Sequence, residues 1–369
     1  MAYNGQLNTN EIFSALYNMI ISQQVFANNI KDTKSSLVDA ARVDGSLYGD
    51  TKLYYATDVL KSAPWGNDAE ALNLLALHRP AAPEVDSITL DKFRQISLTV
   101  DNYLSKRAFS TEGSFSEFNS VMMGWIRDTK KVYDATTYNS FVGTEESAVG
   151  KQTQEITLPT VAGDKEAENR LQAQTIATKL ADVIVDLEDV SRDYNDYGFL
   201  RSYSADDFRY VWNSAYVNKI NKLDVPTIFH KDFIDKFAEY TLPARYFGEV
   251  NGVSVTASDG TTIRSLIEQD VVDGSSKTHH LFAGDIIPAN VTLVKSGAIV
   301  YPSYKEDSNI ILKIVHKDAI PYMSAFEVGT SFFNPKSLTE NHYLTWGHNT
   351  LKHLKNFPLV TLKAKAANA

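Results

Sequence analysis

The sequence contains no cysteine. That excludes a disulfide framework, a thiolate metal site, an iron–sulfur cluster and a cysteine nucleophile. Long apolar runs are missing too. Stretches such as Ile310–Val315 fall far short of the roughly 18 residues a membrane-spanning helix needs. Met1–Gln6 has no positive charge and no apolar run behind it, so no secretory signal is expected there. The expected place of synthesis is a reducing cytoplasm. Positive charge is scarce: 36 Lys and Arg stand against 45 Asp and Glu, a net −9. A face that grips nucleic acid broadly needs clustered Lys and Arg, so that class is disfavoured. Apolar and aromatic residues are abundant, with 43% hydrophobic residues, 19 Tyr and 18 Phe, which argues against disorder. A chain of 369 residues can form two or three domains at roughly 100–200 residues each.

The patterning begins with a helix over Asn8–Asn28. Asn8 can cap it, and Ile12, Phe13, Leu16, Tyr17 and Ile20 follow at helical spacing. It reads either as an arm seeking a neighbour or as a first helix packed on its own domain. Leu53, Tyr55, Thr57 and Val59 alternate, as do Ile96, Leu98 and Val100, which predicts two long antiparallel strands. Between them, Ser62–Asp86 carries Pro64, Trp65, Gly66, Pro80 and Pro83 as an elaborate tip. Such a ribbon is marginal alone and needs another surface to lie on. Ser114-x-x-Glu117 is a capping box, and the stripe through Phe118, Met122 and Trp125 predicts a long helix ending near Ala135. Ile176, Leu180, Val183, Leu187, Val190 and Tyr194 predict a second helix from Lys165 to Tyr197, stopped at Gly198.

Further on, Phe208–Trp212 predicts a strand, and Ala215–Leu223 and His230–Tyr240 predict short helices. Glu249–Ile263 reads as a hairpin region with Asn251-Gly252 and Asp259-Gly260 as turns. Ile310–His316 and Phe357–Lys363 predict strands, the first with Ile310, Leu312 and Ile314 on one face. From Asn341 onward the chain carries Lys352, Lys355, Lys363 and Lys365 and no acid, so +4 lies there and −13 elsewhere. That basic strand could touch DNA or an acidic neighbour, or blunt a sheet edge.

Chemical motifs are sparse. There is no Gly-x-Gly-x-x-Gly, P-loop, His-Glu-x-x-His or nucleophile elbow. His342, His348 and His353 are spaced by six and five, which suits neither a helix face nor a common zinc pattern. His279-His280 is adjacent, so the two rings diverge. Asp182, Asp186, Asp189 and Asp193 recur one turn apart and could share a cation, but read better as a solvated flank. Glu145-Glu146 and Asp206-Asp207 are carboxylate pairs, the second better explained as a turn behind Ser204. No catalytic residue, cofactor or metal is therefore expected. An arm and a ribbon that bury their own surface poorly point to assembly with neighbouring subunits.

The order of arm, hairpin, long helix and mixed domain, closing with Ala319-Ile320-Pro321-Tyr322 and Asn356-Phe357-Pro358-Leu359-Val360, resembles the major capsid proteins of tailed bacteriophages, the Hong Kong 97 fold. Within that family the chain is similar to the major capsid proteins of small phages. The resemblance implies an α+β fold. Residues 1–45 would be the N-terminal arm, 46–103 the extension loop and 104–142 the peripheral domain with its spine helix at Ser114–Ala135. Residues 143–297 would be the axial domain, and 298–369 would return to the peripheral domain. It implies hexamers and pentamers in an icosahedral shell around double-stranded DNA, assembled in the host bacterial cytoplasm. It also implies a portal protein and, because no long scaffolding region precedes the arm, a separate scaffolding protein. Weak non-specific contact with packaged DNA and no membrane are expected. The residues expected at inter-subunit contacts are Ile12, Phe13, Leu16, Tyr17, Tyr54, Trp65, Ile96 and Leu98. A minor virion or tail protein, or a metal-dependent cytoplasmic hydrolase, is the alternative.

Overall fold

The computed structural model describes residues 36–45, 49–62, 77, 79–101, 112–220, 240–250 and 262–365. A short helix α1 (Ser36–Ala40) leads into β1 (Arg42–Asp44), β2 (Thr51–Ala56), the 18-residue β3 (Glu84–Asp101) and the 33-residue helix α2 (Glu112–Thr144). Next come β4 (Thr153–Ile156), helix α3 (Lys165–Glu188), β5 (Phe208–Asn213), helix α4 (Ser214–Ile220) and β6 (Tyr240–Leu242). Short strands follow: β7 (Gly248–Glu249), β8 (Ile263–Ser265), β9 (Gln269–Val272), β10 (Thr278–Leu281), β11 (Val294–Lys295), β12 (Ala298–Ile299) and β13 (Ser303–Glu306). The chain closes with β14 (Ile310–His316), β15 (Tyr322–Asn334), β16 (Thr339–Asn349) and β17 (Leu359–Ala364). The architecture is α+β.

Two five-stranded sheets organise it, in the orders β1-β15-β16-β3-β2 and β4-β17-β14-β5-β6. The second sheet is covered on both faces. Ile176, Leu180, Val183 and Leu187 of α3 pack on the side that carries Tyr210, Trp212, Ile314, Val360 and Leu362. Tyr138 and Val142 of α2, with Leu37 and Val38 of α1, pack on the side of Val211, Val315 and Leu359. A strand covered on both faces reads as a continuous apolar run rather than an alternation. That is why all of β14 is buried. A bulge between Ile310 and Leu312 puts Ile310 on the side of Val315, so it does not share the face of Leu312 and Ile314 that the alternation predicts.

Several sequence expectations change in the structure. Helix α2 runs to Thr144, past Ala135, although Thr136, Thr137, Asn139 and Ser140 interrupt its apolar period. Packing sustains it there. The Tyr138 hydroxyl donates to the Ile320 carbonyl (2.9 Å), and Gly143 leaves room for the Tyr246 backbone, which any Cβ would strike. The helix also begins at Glu112, so Ser114 lies inside it rather than capping it. Helix α3 ends at Glu188 with Asp189 as its C-cap, not at Gly198. Tyr194 is still buried, because the chain folds back and Ser191 bridges Arg201. The predicted long ribbon is divided: β2 pairs with β3 only from Glu84 to Thr89, and Leu90 to Asp101 pair with β16. The predicted hairpin region lies outside the described residues from 251 to 261; its flanks β7 and β8 both pair with β13. Strand β17 lies between β14 and β4, so the basic strand is not an edge. In the last part of the chain β15 and β16 join the first sheet, and β14 and β17 the second. The predicted helices at Asn8–Asn28 and His230–Tyr240 lie outside the described residues, except Tyr240, which begins β6 instead.

Candidate assembly surface

Cross-strand register sets which side chains the β2–β3 ribbon turns outward. Leu53 faces Ser87 and Tyr55 faces Val85, so these share one side of the ribbon. That side is open: Leu53, Tyr55 and Val85 are 52%, 65% and 46% exposed, and Val59, Leu60 and Leu77 beyond them are exposed too. The other side faces the subunit, where Tyr54 packs with Ile88, Leu90, Met323 and Leu354.

Two carboxylates tie the ribbon down. Asp86 accepts from the Tyr197 hydroxyl (3.0 Å) and the Lys355 backbone N–H (2.9 Å), and pairs with Lys352 (3.3 Å). Burial pushes the Asp86 carboxyl up, but these donors together hold it below the usual value. Asp58 pairs with Arg192 (2.7 Å) and accepts from the Leu200 backbone N–H (3.0 Å). The Arg192 guanidinium, foremost, holds Asp58 down to about 2. Arg201 donates to the Thr57 carbonyl (2.7 Å) beside it. The ribbon is thus a fixed strap with an apolar outer face.

This strap is expected to release in acid. A carboxylate held low in the folded state adds stability above its unfolded value of 3.8, and that contribution is lost as pH falls toward about 2. Hydrogen exchange of the β2 amides should speed up between about pH 5 and about pH 2.5 relative to β14 amides. In Asp58→Asn the β2 amides should exchange faster at both pH values. Equal protection of β2 at both pH values in the native protein would overturn the strap reading.

A second apolar patch lies where β15 turns into β16. Phe332 and Phe333 are adjacent, so they project to opposite faces, and both are exposed, as is Leu338 in the turn.

The other residues singled out by sequence do not converge. His348 Nδ1 donates to the Asn349 carbonyl (2.9 Å), leaving Nε2 to accept from the Tyr133 hydroxyl (2.7 Å). His353 donates to the Phe357 carbonyl (2.7 Å), and burial lowers the proton affinity of both rings. His342 stands opposite Leu98 and Ser331 on the first sheet. His279 and His280 bind Asp273 (3.0 Å) and Asp270 (2.7 Å) separately. Lys151 lies 3.6 Å from Asp186 and 3.4 Å from Asp193. Among the described residues no group of three His, Asp or Glu is arranged to hold a metal, and no helix is long and apolar enough to cross a membrane. Of the eight expected contact residues, Ile12, Phe13, Leu16, Tyr17 and Trp65 lie outside the described residues. Ile96 and Leu98 are half-buried on β3, and Tyr54 turns inward while its neighbours Leu53 and Tyr55 turn out. The outward pair was present in the sequence alternation, but only the register with β3 tells which alternate faces the core.

The sequence also gave no sign of the buried polar groups that join the layers. Asp134, on α2, accepts from the Tyr322 hydroxyl (2.7 Å) and pairs with Arg42 (3.0 Å) and Lys130 (3.4 Å). Lys313, fully buried on β14, donates to the Glu145 carbonyl just past the end of α2 and lies 3.7 Å from Glu146. Lys363 pairs with Glu146 at 2.9 Å, which removes it from any exposed basic strip.

This combination of sheets, a long helix between them and an outlying ribbon has counterparts among solved structures. A chain in the capsid structure of Staphylococcus phage Andhra is similar, with TM-score 0.58 and 10% identity, covering 99% of this chain and 96% of that one. A chain in the structure of the head fiber and inner core protein gp22 of native bacteriophage P68 is similar at TM-score 0.58 and 11% identity, covering 87% of this chain and 83% of that one. No curated protein matches the sequence. The fold is that of tailed-phage capsid proteins of the Hong Kong 97 type. The family model of the Phi29-like phage major capsid protein matches residues 3–361, and the chain belongs to that family. Its role is therefore structural: it is a virion component whose copies self-assemble into the capsid shell.

Proposed function

We propose that the shell is icosahedral, built from hexamers and pentamers around double-stranded DNA, with a portal protein in place of one pentamer. Assembly takes place in the host bacterial cytoplasm with a separate scaffolding protein, and the chain has no catalytic role. Residues 1–45 act as the arm and 46–103 as the extension loop. Residues 104–142 hold the spine helix of the peripheral domain, 143–297 form the axial domain, and 298–369 return to the peripheral domain. The observation that carries this reading is the fixed strap whose outer face, Leu53, Tyr55 and Val85, is apolar and uncovered in the single subunit. A shell grows from many moderate contacts, and a held strap supplies area without an entropy cost of ordering it on binding. Ile12, Phe13, Leu16, Tyr17, Tyr54, Trp65, Ile96 and Leu98 remain proposed contact residues, and Leu53 and Tyr55 join them. Contact with DNA is weak and non-specific, in keeping with a chain of net −9.

The test is Leu53→Asp combined with Tyr55→Asp. At about 1.5–3 kcal/mol per apolar side chain kept from burial, association should weaken by roughly a hundredfold or more. Sedimentation should show loss of closed particles while circular dichroism stays unchanged. Normal shells from this variant would remove the strap from the interface.

A further inference from the structure

The middle of α2 borders an open cleft of about 330 Å³, lined by Asp39, Arg42, Arg127, Lys130, Lys131 and Asp134 among others. Its inner charges are committed. Arg42 and Lys130 serve buried Asp134, and Lys130 also reaches Glu327 at 3.2 Å. Its outer charges are not. Arg127 and Lys131 lie one helical turn apart, are exposed, and form no ion pair among the described residues.

The opposite imbalance stands at the C-terminal end of α3. Asp182, Asp186 and Asp189 lie on one exposed side of the helix and its cap. The last turn has no basic residue, so these carboxylates meet the negative end of the helix dipole. Lys151 serves Asp186, but Asp182 and Asp189 have no cation in ion-pair range among the described residues. Val185 and Val190 beside them are 64% and 59% exposed. An acidic, partly apolar surface at this position is unfavourable in the isolated subunit and gains from a basic partner. Copies that each carry −9 must overcome mutual repulsion to associate, so matched local patches decide where they touch.

We infer that in the assembled shell the acidic end of α3 in one copy docks on Arg127 and Lys131 of a neighbouring copy. The inference rests on the shell reading above and names a pair of surfaces for it.

Charge exchange tests it on the full chain. Arg127→Glu with Lys131→Glu, and separately Asp182→Lys with Asp189→Lys, should each lower the yield of sedimenting shells about tenfold or more, because like charges then face each other. The four substitutions together should restore assembly to within roughly twofold of the native chain. Circular dichroism and urea unfolding check that each subunit folds. Where a reversal perturbs folding, Arg127→Gln with Lys131→Gln serves instead, and should make the assembly yield less sensitive to salt. A fourfold variant no better than the worse pair, or two pairs that both assemble normally, overturns the pairing. Normal shells with weakened DNA binding in Arg127→Glu with Lys131→Glu would assign the cleft to phosphates and overturn it too. Failure of the unsubstituted protein to form shells under any condition would strike the shell reading itself, which separates the two.

Discussion

Asp134→Ala is expected to destabilise the subunit by about 3 kcal/mol. Asp134 is buried on the face of α2 that meets the first sheet, and one carboxylate serves Tyr322, Arg42 and Lys130 there. Removing it leaves the buried Tyr322 hydroxyl without its acceptor and Lys130 with only the exposed Glu327. Burial, and then the neighbouring Asp134 charge, hold the Tyr322 phenol far above its usual value, so it stays a neutral donor throughout the working range. Tyr322→Phe should cost less, about 1 kcal/mol, because the carboxylate keeps its two cations. Urea unfolding of the two variants gives the comparison. A loss below about 1 kcal/mol in Asp134→Ala would show that Arg42 and Lys130 escape to solvent and that the carboxylate does not tie helix to sheet.

Lys313→Met is expected to act in the opposite direction. Burial first, with only partial compensation from Glu146, lowers the Lys313 ammonium to about 8 from an ordinary 10.5. Above 10.5 the amine is neutral in both folded and unfolded chains. As pH falls from there to about 8, only the unfolded chain takes up the proton, so folding loses up to about 3 kcal/mol on this group's account. Below about 8 the loss is complete and constant. Met fills a similar volume without the charge, at the expense of one donor to the Glu145 carbonyl. A net gain of about 1–2 kcal/mol near pH 7.5 should follow, and the gain of the native protein on moving toward about pH 10 should vanish in the variant. Lys363 keeps Glu146 paired in both. A variant less stable at neutral pH would mean that the lysine's bonds at the end of α2 outweigh its burial.

Much of the fold was legible as periodicity. Ile176, Leu180, Val183 and Leu187 repeat at helical spacing because one side of α3 must face a sheet, and they are among its buried residues. Leu53 and Tyr55 alternate because a strand exposes every second side chain. Element ends were less legible. Thr136 to Ser140 break the apolar repeat, yet Tyr138 and the room left at Gly143 keep α2 helical through them. Val190 continues the α3 repeat, yet the helix has already stopped at Asp189. In both cases contacts with distant segments outweigh local preference.

Of the candidate surface, the sequence by itself determined that an extended apolar element with no local cover exists, and that a Cys-free chain of net −9 has no thiolate chemistry and little means to grip DNA broadly. Only the tertiary structure decided which face of the strap looks outward, since it depends on register with β3 and on ties at Asp58 and Asp86 to residues over a hundred positions away. It also decided that the basic C-terminal strand is interior, with Lys363 spent on Glu146. The physical reason is the range of each interaction. Helix and strand periods follow from neighbours along the chain. Sheet order, pairing of buried charges and the side a ribbon presents depend on segments that meet only once the chain has folded.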